Sequence, residues 1–238
     1  MPGSTWENYR VHAGGVSCYS SIDLLNWKYE GIALATNTAN PAHDLHTSKV
    51  IERPKVIFNK KTGKFIMWMH IDAADYLYAR SGVAVSDLPT GPFVYKGSER
   101  PNGNMARDMT IFQDDDGKAW HFYSSEDNAT MHICLLSDDY LSNTPLEKRI
   151  LIGQSREAPA VCKAGGRYNP CTGPGADQTY LSKSTYILPL PGEKSGFIFM
   201  ADKWNKKNLE DSRYVWLPLT ITGEGTPEIT WKDSWTLP

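Results

Sequence analysis

The chain has 238 residues, 40% of them hydrophobic, and its 25 Lys and Arg against 27 Asp and Glu leave a formal charge of -2. That size suits one large domain, as all-β folds often form, or two small ones, with residues enough for a sizeable core, and a charge near zero gives no basic field for nucleic acid or an anionic membrane. No apolar run reaches the roughly 18 residues of a membrane span, and the opening MPGSTWENYR lacks the apolar stretch of a signal peptide.

Short strand-like runs follow one another along the chain. GVSCYSSIDLLNWKYEGIAL (15–34) reads as two strands, the third and fourth of a blade whose first two are missing. KVIFNKKTGKFIMWMH (55–70) is strand, turn, strand, with Lys61, Thr62 and Gly63 as the turn, and SGVAVSD and GPFVYKG add two more. MTIFQDDDGKAWHFYSS (109–125) repeats the hairpin through Asp116-Gly117, followed by MHICLLSDD and EKRILIG. STYILPLPGEKSGFIFMAD (184–202) repeats it through Gly192 to Gly196, followed by RYVWLPLTI and EITWKDSW. Four strands per unit at a period of about 50 residues is the pattern of a β-propeller blade. A β-sandwich also has many short strands, but it would not restart with the same hairpin.

Each unit opens on a carboxylate beside an arginine: IERPKV, ARDMTI and SREAPAV. Glu52 and Asp108 are 56 residues apart, and Asp108 and Glu157 are 49 apart. First strands line the channel of a propeller, so these three carboxylates are expected to face one pocket. After Glu157 the beat fails, because the next hairpin starts at Ser184, only 27 residues on. The spacing predicts that APAVC begins a blade most of which is missing around Arg167–Asn169. The two half-blades are expected either to complete one another as a composite sheet, leaving four sheets, or to pair between molecules through their open edges.

GVSCYSSIDLLNWKYEGIAL, VIERPKVIFNKKTGKFIMWMHID, SGVAVSDLPTGPF, RPNGNMARDMTIFQDDDGKAWHFYSSEDN, IGQSREAPA and NLEDSRYVWLPL together resemble the exo-β-1,3-galactanase-like branch of glycoside hydrolase family 43. The resemblance spans nearly the whole chain. It implies a five-bladed β-propeller, here a single catalytic-type domain over 1–238 with two incomplete blades. It also implies inverting exo-hydrolysis of terminal sugars from β-1,3-galactan or arabinogalactan-type plant polysaccharide, and a secreted or periplasmic location. An α-L-arabinofuranosidase, or a carbohydrate-binding remnant with impaired catalysis, are the alternatives.

By the same resemblance Glu157 matches the general acid, Asp108 the residue that tunes and orients it, and Glu52 a pocket carboxylate contacting sugar or water. The place of the amide that positions the attacking water is taken by Lys183 in LSKSTY. A charged lysine has three donors and no acceptor, so it cannot take the water's proton. Tyr123, Glu126 and Arg213 lie in family motifs and are candidates for bonds to sugar hydroxyls; for Arg213 an ion pair with Asp211 or Glu210 is an equal alternative. Trp204 is a candidate sugar platform, or else rim packing.

The remaining chemistry-bearing residues point to no further site. His43 and His46 lack a third ligand at metal spacing and read as a solvated loop. His70, His121 and His132 read as satisfied or surface histidines within strands. Cys18, Cys134, Cys162 and Cys171 show no CxxC spacing, so no zinc knuckle is expected; Cys162 and Cys171 are candidates for pairing. No cofactor is expected, and a channel cation such as calcium is not indicated by the residues.

Overall fold

A computed structural model describes residues 13–163, 179–190, 196–205, 207–223 and 225–237. The Arg167–Asn169 junction, Cys171 and most of the turn expected between Gly192 and Gly196 lie outside the described residues. The chain forms two compact units, one of Val11–Glu157 and one that takes in Ala158–Pro238.

In the first unit β1 (Val16–Ser20) and β2 (Lys28–Leu34) pair antiparallel as a two-stranded sheet. The next four strands are β3 (Val50–Asn59), β4 (Lys64–Asp72), β5 (Arg80–Ser86) and β6 (Val94–Glu99), and they lie side by side in chain order. So do β7 (Met109–Gln113), β8 (Ala119–Ser125), β9 (Thr130–Leu136) and β10 (Asn143–Ile150). The turns close as their residues require. Asn59 Oδ1 accepts the amides of Lys61 and Thr62, and Gly63 supplies a φ of +69° that a side chain would resist.

β4 shows why these strands form and what they pack. Its residues from Ile66 to Asp72 are buried on both faces, so its apolar part reads as a continuous run rather than an alternation. Ile66 and Trp68 face a core with Met109, Ile111, Tyr123 and Leu136 of the following sheet. Met67, Met69 and Ile71, one residue out of phase, face a second core with Ala33, Leu34 and Phe93. Consecutive sheets therefore share β4 as a two-sided wall. Trp68 is fully buried, and its indole N–H donates to the Tyr140 carbonyl at 2.9 Å.

The second unit holds β11 (Lys183–Pro189), β12 (Phe197–Lys203), β13 (Arg213–Ile221) and the short β14 (Pro227–Ile229), again in chain order. Its core is Ile187, Phe199, Ala201, Val215, Leu217, Leu219 and Ile229. Here one expectation is corrected. APAVC is not a strand: 158–163 carries no strand, and Ala160 and Cys162 instead pack against this core. The Ala158 carbonyl takes a hydrogen bond from the Ser184 hydroxyl. The composite sheet is therefore not formed among the described residues; β1 and β2 make a sheet of two.

Candidate active site

The first strands of neighbouring sheets, β3 and β7, bring Glu52 and Asp108 together. At Glu52 the ladder with β4 slips: Glu52 lies opposite His70, but the next paired residue is Lys55 opposite Trp68. Arg53 sits in this bulge with φ of 54°, a left-handed conformation that a non-glycine residue holds only at a cost of about 1–3 kcal/mol. The bulge turns the Arg53 side chain across to β7, where Nε donates to Asp108 Oδ1 at 3.0 Å. Both partners of this ion pair are nearly buried.

Glu52 is held from the other side. Tyr76 donates its phenol proton to Glu52 Oε1 at 2.9 Å, and His70 Nδ1 lies 3.2 Å from Glu52 Oε2. His70 Nε2 in turn lies 2.8 Å from Asp72 Oδ2. Residues 70 and 72 are two apart on one strand, so both side chains leave the same face of β4. Asp72 Oδ1 accepts the amides of Ala73, Tyr78 and Ala79 at 2.8, 3.0 and 3.0 Å and so pins the loop carrying Tyr76. Burial by itself would raise the Asp72 carboxyl, but the His70 and Ala79 hydrogen bonds outweigh it and hold it below the usual range. Burial would likewise lower His70; the bonds to Asp72 and Glu52 outweigh that and raise it.

Glu157 comes to this region through the third sheet. Ser124 links the two: its amide donates to the Asp108 carbonyl at 2.9 Å, and its hydroxyl donates to the Arg156 carbonyl at 3.3 Å. Glu157 itself is exposed and accepts from Asn128 Nδ2 at 3.0 Å. Asn128 stands in the β8–β9 turn, where Glu126, Asp127 and Asn128 all have positive φ. Arg107 ties that turn to the Tyr76 loop, donating to Asp127 Oδ1 and the Tyr76 carbonyl, both at 3.0 Å.

The ligand atoms of Glu52, His70 and Asp108 lie within 4.8 Å of one another, near enough for a shared cation. Each is already engaged, however. A cation would have to displace the Arg53 guanidinium from Asp108 and break the contact between His70 and Glu52.

Tyr123 and Glu126 are placed elsewhere. Tyr123 has no exposed surface, and its hydroxyl donates to Glu147 Oε1 at 2.9 Å. Glu147 also meets His132 in a very short contact and accepts from Asn102 at 2.8 Å. Glu126 accepts from Thr130 at 2.8 Å and pairs with Arg149 at 2.7 Å. Those bonds, Thr130's foremost, hold its carboxyl down to about 2. This network braces β8, β9 and β10. In the second unit Lys183 and Trp204 meet at one end of β11 and β12, with the ammonium 5.8 Å from the indole centroid. Arg213 is largely exposed and pairs with Asp211, the structural alternative for that residue.

The residues missed by sequence reasoning are Arg53, His70, Asp72, Tyr76 and Asn128. The one legible signal was HID at the end of an apolar strand, two polar groups on one face beside a pocket carboxylate.

Four-stranded antiparallel sheets in chain order, with the carboxylates Glu52 and Asp108 at the starts of two first strands, are the features of an incomplete propeller of the glycoside-hydrolase class. The chain belongs to glycosyl hydrolases family 43, whose sequence profile matches residues 3–170. It is similar to the GH43 β-1,3-galactosidase BT3683 solved with galactodeoxynojirimycin, at 41% identity and a TM-score of 0.86, covering 93% of this chain and 86% of that one. It is also similar to the exo-β-1,3-galactanase of Phanerochaete chrysosporium solved with galactose (34%, TM-score 0.85, 97% of this chain and 60% of that one). A third is the exo-β-1,3-galactanase of Clostridium thermocellum (33%, TM-score 0.80, 91% and 56%). The chain thus spans less than two thirds of the length of the latter two. No curated protein matches it in sequence. Among the described residues no helix is long and apolar enough to cross a membrane.

Proposed function

We propose that this protein is an exo-acting, inverting glycoside hydrolase that removes terminal galactose from β-1,3-linked galactan, outside the cytoplasm. The observation that carries this reading is the gathering of Glu52 and Asp108 by fixed donors, with Glu157 tied to the Asp108 strand through Ser124 and open to solvent. The names of the similar structures support the sugar. In the reaction Glu157 gives its proton to the glycosidic oxygen as the bond to the anomeric carbon breaks. Water adds to that carbon from the opposite face and loses its proton to bulk solvent, from which Glu157 is reprotonated. Asp108, fixed by Arg53, orients the acid, and Glu52 receives a sugar hydroxyl.

One observation favours the second reading, a sugar-binding protein with weak turnover. By resemblance to the family Lys183 takes the place of the amide that positions the attacking water, and a charged lysine offers water no acceptor. Incubation with β-1,3-galactan, an aryl β-galactoside and an aryl α-L-arabinofuranoside, beside a galactose-binding titration, separates the two. Under the first reading Glu157→Gln lowers galactose release by roughly 100-fold or more, the usual weight of a general acid. Binding without release from any of the three defeats it.

A further inference from the structure

The donors and acceptors around His70 leave one proton to be placed. Its two ring nitrogens each face a carboxylate, Asp72 at 2.8 Å and Glu52 at 3.2 Å. The ring is 1% exposed and Asp72 is 0% exposed, so water cannot stand in for either partner. An ionised carboxylate only accepts, and a neutral imidazole donates from one nitrogen only. A neutral ring therefore leaves one contact as lone pair against lone pair. That contact is not the one with Asp72, whose other oxygen already accepts three backbone amides and which is committed to the ionised form. Nε2 donates to Asp72, and the unplaced proton lies between Nδ1 and Glu52.

The surrounding charges decide where it resides. The ring faces Asp72 from its own strand, Glu52 from β3, and the Asp108 carboxylate across from β7. Tyr76 covers its flank, with ring centroids 6.1 Å apart, and gives its hydroxyl proton to Glu52. Among the described residues the cation placed here is Arg53, which is engaged with Asp108. Among the described residues three carboxylates stand against one guanidinium here, which favours a second positive charge, and the imidazole is the group that can carry it.

We propose that His70 is a positioning residue of this site: doubly protonated and braced by Asp72, it holds Glu52 as an ionised, acceptor-only carboxylate that takes a hydrogen bond from one hydroxyl of the bound sugar. The last clause rests on the glycoside-hydrolase reading above; the assignment of the ring does not. The consequence for specificity is direct. A carboxylate locked in this way needs a donor opposite it, so a sugar with fluorine at that carbon, which keeps the size but cannot donate, loses affinity. For a hydrogen bond to a charged group the loss is roughly 10- to 100-fold.

Two isosteric changes test the ring assignment without requiring turnover. Nitrogen-15 NMR of the imidazoles at neutral pH is expected to show protons on both nitrogens of His70 in the unaltered protein. Glu52→Gln removes the anion and supplies an amide that donates to Nδ1, so the ring becomes neutral with its proton on Nε2. Asp72→Asn keeps an oxygen for the three amides of 73–79, which forces its NH2 towards Nε2; the ring then carries its proton on Nδ1. A singly protonated ring in the unaltered protein, or spectra that do not move in opposite senses in the two variants, overturns the proposal. Titration with monodeoxyfluoro-galactoses then reads the sugar clause: one position is expected to lose 10- to 100-fold, and equal binding of all positions refutes it. A doubly protonated ring in a protein that binds no galactoside keeps the His70 assignment and defeats the functional reading instead.

Discussion

Replacing Asp72 should separate the charge of this side chain from its role as a backbone acceptor. Asp72 is fully buried and accepts four hydrogen bonds, three from amides of the 73–79 loop and one from His70. Asp72→Ala orphans all four donors. Each buried unsatisfied donor costs about 1–3 kcal/mol, but an exposed loop partly relaxes and water enters, so the expected loss is about 3–5 kcal/mol, the range for breaking a buried charged partner. Asp72→Asn keeps the three amide bonds and should lose only about 1–2 kcal/mol. Urea unfolding followed by tryptophan fluorescence gives the totals. Amide exchange at Ala73, Tyr78 and Ala79 gives the location: protection falls at all three in the alanine variant and persists in the asparagine variant. The pH dependence has two limbs. Asp72 is lowered, so its contribution is present above the ordinary carboxyl range and lost as pH falls through its folded value. His70 is raised, so its contribution is full below about 6.5 and lost as pH rises through its folded value. Equal stability losses in the two variants, with exchange at the three amides unchanged, would refute the account of this loop.

Trp68→Ala, which empties a fully buried site and removes the bond to the Tyr140 carbonyl, should cost about 3–5 kcal/mol in the same unfolding assay. Cys134 is pushed up to about 11, by burial first and the nearby Glu147 charge second, and its thiol donates to the Thr144 carbonyl at 3.0 Å. A thiol reagent at pH 8 should leave it unmodified in the folded protein and label it in urea, as read by mass spectrometry. Lys183→Gln gives the start of β11 an acceptor for water and should raise galactose release from β-1,3-galactan several-fold; no gain would separate Lys183 from the water step.

Much of the fold was open to reading because it rests on local patterns. The apolar run of β4, the Lys61–Gly63 and Asp116–Gly117 turns and the repeat of about 50 residues each depend on neighbours in sequence, and three four-stranded sheets follow from them. The pairing of a carboxylate with an arginine at each unit start likewise pointed to Glu52, Asp108 and Glu157. What the tertiary structure decided was which groups meet. Arg53 reaches Asp108 only because a bulge puts it in a left-handed conformation, and no propensity scale marks arginine for that. His70 looked like one more strand histidine until register set it opposite Glu52 with Asp72 behind it. Tyr123 sits in a family motif, yet its side chain is committed to Glu147 inside the sheets. APAVC has the composition of a strand, yet 158–163 forms none, and Ala160 and Cys162 pack instead against the core of the sheet that begins at Lys183. Sequence carries the period of a strand in its own residues; the identity of the neighbour across the ladder or across the core depends on how distant segments pack, and the chemistry of this site lies in those neighbours.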